Sequence, residues 1–418
     1  MLDFAINKRH ANRFSLIVKR MAALTPILLL SLLFTSCMTD GNHMDDNIAG
    51  KSDTYINLNV STPTAQARAN SSTNSNASLG QDETSPSPEE EEKIYSIRVW
   101  AFKTGSTKDA TPIGFKSETG LNEKGSHRIS MKILRKYAEN LQNIDLYILL
   151  NAESIGVLNG SDCNTMTRQQ LEEAVISNTT SSNFGIQDGA AQTTTVPTEG
   201  LPISRIVTNI NVADKISDSE TAAAANPVSI PLVRAVSKLH FFFARKDAKD
   251  TQDVEITKIE VNENVLSTTS SVFPTATTDE KKSTEGLTGN FDGMSYLHEK
   301  WAFGGIATAN INAVGNPTEY IRQSAETAQA YMTRLSQAVK ESYRSYQRET
   351  NQPISGKIYY KTSKSGAEKS MDFEVKNAYR NHELVVYGYF SGESQVDITL
   401  NYYVASWNEK DATNITFD

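Results

Sequence analysis

A chain of 418 residues with 38% hydrophobic content is long enough to enclose two hydrophobic cores. Its formal net charge of -8 comes with acidic and basic residues intermixed, which leaves no basic face for a nucleic-acid partner. Only Cys37 and Cys163 occur, too few for a disulfide framework in a mature body that begins at Cys37, so stability has to come from packing and strand pairing.

The first residues read as an export signal. Lys19 and Arg20 precede a short apolar run over 21–36 that contains Pro26 and ends in small residues. A spanning helix needs about 20 apolar residues, so this run is a signal peptide covering 1–36, whether translation starts at Met1 or Met21. The small residues before Cys37 resemble a lipobox, in which a peptidase cuts before the cysteine and the thiol takes up a lipid. Cys37 is therefore the candidate lipidation site, and the polar, acidic residues 37–54 read as a solvated tether.

Residues 55–61 alternate Ile56, Leu58 and Val60 with Asn57, Asn59 and Ser61, the period of a half-buried strand. Arg68 follows in a polar stretch, and 69–93 is an acidic Pro/Ser-rich loop whose Glu89–Glu92 run reads as solvated rather than as a calcium site. Strands are predicted at 94–102, 126–131, 144–151, 206–212, 228–232 and 235–244. The 144–151 strand is nearly all apolar and so belongs in the middle of a sheet. The last of these strands is expected to close the core of a first domain over 94–249. A short helix is predicted from Arg168, because Leu171, Ala174 and Val175 share one face.

The second domain, 250–418, opens with a strand at 254–261. The Ser/Thr-rich stretch 267–278 reads as a connection. A long helix is predicted over 319–348, where Ile321, Ala325, Ala328, Tyr331, Met332, Leu335, Val339, Tyr343 and Tyr346 recur at spacings of three and four. Strands at 356–362, 371–375, 384–390 and 396–404 lead through Trp407 to a terminal apolar pair, Ile415 and Phe417.

No chemistry emerges from this pattern. The histidines His10, His43, His127, His240, His298 and His382 stand singly, without partners at metal-ligand spacing. A nucleophile elbow, a phosphate-binding glycine loop and a dinucleotide fingerprint are all missing from the sequence. The expectation is a protein that is not an enzyme and has no catalytic, metal or cofactor site. Trp100, Trp301 and Trp407 are expected in cores or interfaces rather than on a sugar platform.

The order of parts at the N-terminus suggests a mechanism instead. A cut after Arg68, in an exposed loop, would remove the lipid and the strand bearing Ile56, Leu58 and Val60 together. The sheet left behind would present unpaired backbone groups beside an apolar groove and recruit another chain's strand.

The chain resembles the fimbrillins, subunits of the type V pili of Bacteroidales. The resemblance is carried by the lipobox at Cys37, the Ile56-Leu58-Val60 strand followed by Arg68, Ile97-Arg98-Val99-Trp100-Ala101-Phe102, and Leu149-Leu150-Asn151-Ala152. It continues through Gly200-Leu201-Pro202-Ile203-Ser204, Leu232-Val233-Arg234-Ala235-Val236-Ser237-Lys238-Leu239, Tyr379-Arg380-Asn381-His382-Glu383-Leu384 and Tyr403-Val404-Ala405-Ser406-Trp407. It implies a mainly β fold of two transthyretin-like, Greek-key β-sandwich domains, with a few short helices and the one longer helix in the second domain. It also implies export as an outer-membrane lipoprotein, cleavage by an arginine-specific protease at Arg68, and partnership with other fimbrial subunits. On the same grounds Val404, Trp407, Ile415 and Phe417 would form the donor region, and adhesion would be the output. The long 69–93 loop and the helix over 319–348 depart from the pattern and leave the place open between the shaft and a tip or accessory position. The alternative from a different class is a monomeric, lipid-anchored glycan-binding protein.

Overall fold

The computed structural model describes residues 54–62, 89–138, 141–177, 196–245, 253–273, 295–303, 309–311, 342–363, 366–377, 379–390, 398–406 and 415–416. Strands dominate them. The first ten are β1 (Thr54–Ser61), β2 (Lys93–Lys103), β3 (Gly114–Lys124), β4 (Ser126–Ile133), β5 (Asn143–Leu150), β6 (Val175–Ser177), β7 (Ile203–Asn211), β8 (Ile216–Ser217), β9 (Val228–Pro231) and β10 (Val233–Arg234). The rest are β11 (Ser237–Arg245), β12 (Val254–Val261), β13 (Thr269–Ser271), β14 (Trp301–Ala302), β15 (Ala309–Asn310), β16 (Ser342–Gln347), β17 (Pro353–Thr362), β18 (Lys369–Asn377), β19 (His382–Phe390), β20 (Ile398–Ser406) and β21 (Ile415–Thr416). Three short α-helices accompany them: α1 (Arg135–Ala138), α2 (Arg168–Glu172) and α3 (Glu220–Ala224).

Two β-sandwiches result. In the first, a sheet of order β4-β1-β8, with β9 also on β1, faces a sheet of order β10-β7-β5-β2-β3. The apolar row Ile56, Leu58 and Val60 meets Ile129, Met131 and Ile133 from β4 and Ile97, Val99, Leu146 and Ile148 from the opposite sheet. The strand at 144–151 does sit centrally, as β5 between β7 and β2. Its near-continuous apolarity has a plain cause, because both faces are covered. Leu146 and Ile148 enter the sandwich core, while Tyr147 and Leu149 enter a second cluster with Trp100, Phe102, Leu171, Val272 and Phe273.

The second sandwich stacks a sheet of order β16-β11-β19-β20-β21 on one of order β14-β12-β17-β18, with β15 also on β12. Leu239, Phe241 and Phe243 of β11 enter its core with Ile256, Ile259, Ile358, Phe373 and Leu384.

Several expectations are corrected. The run 235–244 does not close the first core. As β11 it pairs with β16 and, in parallel, with β19, which places it in the second sandwich. An apolar strand carries no label for its sheet, and this one follows β10 after only Ala235 and Val236. The expected long helix ends differently: 319–341 lie outside the described residues, but Ser342–Gln347 is strand β16. Tyr343 and Tyr346, three apart, fit one helix face, yet in a strand they point to opposite sides. Accordingly Tyr343 packs on the second core and Tyr346 in the cluster against the first sandwich.

The stretch 267–278 is more than a connection, since β13 pairs with β6 and Val272 and Phe273 are fully buried. The helix from Arg168 stops at Glu172. It starts as the pattern requires, with a capping box formed by Thr167 and Gln170, but Val175 opens β6 and is 43% exposed.

The Glu89–Glu92 run is a 3-10 turn rather than a solvated loop, and Glu91 is fully buried. Its carboxylate lies 3.1 Å from Lys238 Nζ and accepts a hydrogen bond from the Tyr346 hydroxyl. Lys238 is also 3.2 Å from Glu383, which in turn lies 2.9 Å from His240 Nδ1.

Beside this network, Arg380 is wholly buried. Its guanidinium donates to Glu349 at 2.9 Å, to Ser271 O at 2.7 Å and to Val272 O at 3.1 Å. Asn381 completes the junction, its amide donating to Val236 O at 2.7 Å and its side-chain oxygen accepting from Arg234 N at 3.3 Å. The joint between the sandwiches is thus built from the stretches 232–239, 345–350 and 379–384, to which the first sandwich adds Glu91 and Ser204. Burial pushes the Tyr346 phenol up, with the Glu91 carboxylate acting in the same direction, and pushes the Arg348 guanidinium down to about 10. It also lowers His240, against the opposing pull of its hydrogen bond to Glu383.

Candidate assembly groove

β1 is made by the simplest of signals, period two, but its position is unusual for a first strand. It lies inside a sheet. Along its whole length it pairs antiparallel with β4, from Thr54 opposite Ile133 to Ser61 opposite Ser126. On the other side it pairs antiparallel with β8 through Tyr55 and Ile56, and then parallel with β9 through Leu58 to Ser61. Ile56, Leu58 and Val60 are each 0% exposed, and complete burial of such side chains is worth about 1.5–3 kcal/mol apiece.

The end of the strand is tied down by Thr62 N donating to Gly125 O at 2.9 Å and by Leu232 N donating to Ser61 O at 2.9 Å. Opposite Val60, His127 closes this end of the core, its Nδ1 2.6 Å from Glu123 and its Nε2 2.8 Å from Glu118.

Strands in a sheet lie about 4.8 Å apart, so withdrawing β1 would leave β4 and β9 facing each other across roughly 9–10 Å, room for one strand. Both walls of that slot would carry unpaired N–H and C=O groups, and its floor would be the apolar row vacated by three side chains.

The other candidate residues fall as follows. Cys37, Arg68, Trp407 and Phe417 lie outside the described residues. Val404 is in β20, opposite Leu384 of β19. Ile415 is in β21, opposite Tyr402, and among the described residues Ile415 and Thr416 form that pairing. Trp100 is fully buried, with its indole N–H donating to Cys163 O at 2.7 Å, and Trp301 is 5% exposed against Phe303, so neither offers a sugar platform. Among the described residues no group of three His, Cys, Asp or Glu is placed to hold a metal, and no helix is long and apolar enough to cross a membrane.

Two parts of the groove escaped the sequence reading. One is the pairing of β1 with β8 and β9. The other is α3 above it, although Ser219 before Glu220 and an alanine run is an N-cap signal.

No family model and no curated protein matches the sequence. Among solved structures the chain is similar to a candidate cell adhesion protein from Parabacteroides distasonis, at 13% identity and a TM-score of 0.48 over 85% of this chain and 98% of that one. It is also similar to the tip fimbrial protein Mfa3 from Porphyromonas gingivalis, at 11% identity and a TM-score of 0.45 over 85% of this chain and 100% of that one. A fimbrial assembly protein from Parabacteroides distasonis is similar at 11% identity and a TM-score of 0.40, over 87% of this chain and 100% of that one.

Proposed function

We propose that the protein is a structural, non-enzymatic subunit of a cell-surface fimbria that polymerises by strand exchange and serves adhesion. A lipid on Cys37 holds the precursor at the outer membrane. An arginine-specific protease then cuts after Arg68, β1 departs, and the terminal region of a second copy, from Val404 through Trp407 to Ile415 and Phe417, fills the slot. The observation that carries this reading is that β1 is interior to its sheet. Loss of an edge strand would merely move the edge, whereas loss of β1 opens a gap with two hydrogen-bonding walls, which binds one strand and no more.

Limited trypsin digestion tests it. Cleavage after Arg68 should come first and be followed by ladders resistant to sodium dodecyl sulfate, and Arg68→Ala should abolish both. Cleaved wild-type protein that stays monomeric would sink the proposal.

A further inference from the structure

The outer side of the slot is closed by a strap. Between Val212, whose amide donates to Gln142 O at 2.8 Å, and the start of β9, the chain forms β8 and α3. The strap is tied to itself: Asn226 Nδ2 donates to Asp214 O at 3.2 Å, and Ser219 Oγ accepts from Ala222 N at 3.4 Å. Its ties to the slot run through the strand lying there. Ile216 and Ser217 pair with Ile56 and Tyr55, and Asn57 Nδ2 donates to Glu220 O at 3.2 Å.

Asn57 is 3% exposed and alternates with the apolar row, so it faces the strap and not the core. Directly opposite it on β4 is Ser130, whose hydroxyl is buried with no hydrogen-bond partner among the described residues. A carbonyl and a hydroxyl therefore meet the strand at one position, and the resident side chain serves only the carbonyl. An apolar residue there would leave both unserved, and one buried polar group without a partner weakens binding by about tenfold or more. A hydroxyl there can pair with Ser130, a cross-strand combination that stabilises antiparallel ladders.

We infer that position 57 is where the slot reads its strand: Glu220 O and Ser130 Oγ select an occupant with a hydrogen-bonding residue between two apolar ones. The inference rests on the strand-exchange reading, and the occupant it selects is the tail of a second copy. Ile415-Thr416-Phe417, laid in the direction of Ile56-Asn57-Leu58, brings a threonine opposite Ser130. Ile398-Thr399-Leu400 carries the same pattern, but it belongs to β20, which nine residue pairs hold to β19.

The test uses the trypsin-cleaved protein and synthetic peptides of residues 54–61, competing against the fluorescently labelled wild-type peptide. The Asn57→Leu peptide should bind about tenfold more weakly than wild type. The Asn57→Thr peptide should bind at least as tightly as wild type and lose ground in the Ser130→Ala protein. An Asn57→Leu peptide that binds as well as wild type overturns the inference. If the labelled peptide never enters, the exchange reading falls, and the uncut chain decides the inference. There Asn57→Leu should speed amide hydrogen exchange over 216–223 about tenfold while leaving 379–384 unchanged. Unaltered exchange in the strap would overturn it.

Discussion

The molecule contains two internal interfaces of opposite character. The slot around β1 is mostly apolar side chains plus backbone ladder, with a buried side-chain hydrogen bond at Asn57. The joint between the sandwiches is a dense set of buried charges: Glu91, Lys238 and Glu383, then Glu349 and Arg380. The contrast teaches which contact can be exchanged. Main-chain bonds and aliphatic packing can be given up to any strand of the right pattern. Parting buried ions leaves charges without compensation, a loss of about 3–5 kcal/mol. The slot is suited to replacement and the joint to permanence.

Three experiments put this contrast at risk. The largest effect is expected from Glu349→Ala, which leaves the Arg380 guanidinium buried without its carboxylate and should cost about 3–5 kcal/mol in urea unfolding, cleaved or uncleaved. A cost under 1 kcal/mol would remove the joint's claim to permanence. Next, Leu58→Ala should cost about 2–5 kcal/mol in the uncut chain, through lost burial and a cavity. In the cleaved protein, freed of β1, the same substitution should have no effect on stability. A persisting difference would mean that β1 had not left.

The smallest effect concerns His240, whose pKa burial depresses, with Lys238 and Arg344 adding to it and the hydrogen bond to Glu383 opposing. The folded state then binds fewer protons than the unfolded chain. His240's contribution to stability is therefore fully present above the ordinary histidine value, about 6.5, and is lost as pH falls below it. Glu383 and Lys238 touch the ring's network directly, while Glu91, Tyr346, Arg234 and Arg344 surround it from the neighbouring elements. Unfolding measured between pH 7.5 and 5.5 should show a slope no steeper than about 1.4 kcal/mol per pH unit from this group, and His240→Phe should flatten it. An unchanged slope in that variant would assign the dependence to the carboxylates.

What the sequence revealed follows from what its signals measure. Alternation in Ile56, Leu58 and Val60 and the apolar run in β5 report burial, and both were legible as strands. β3 was not, because it lies at a sheet margin with residues 119, 120 and 122–124 exposed, and so carries no alternation to read. Partner choice was equally hidden. Nothing in Ser237–Arg245 says which sheet it joins, although Lys238 and His240, two apart within a wholly buried strand, signal a face that needs counter-charges. Glu91 looked solvated because a run of four glutamates usually is, and its partners lie far along the chain at Lys238 and Tyr346. For the groove, the strand and its apolar row were legible, while its interior place depended on β9, a pairing partner some 170 residues away in sequence order.

The passage from one sandwich to the other takes only Ala235 and Val236, both fully buried and pinned by bonds to Pro202 and Asn381. Such a crossing has no slack for a swivel. Each copy would enter a filament as one inflexible link, so bending and recoil under flow would have to arise where one copy's tail enters the next.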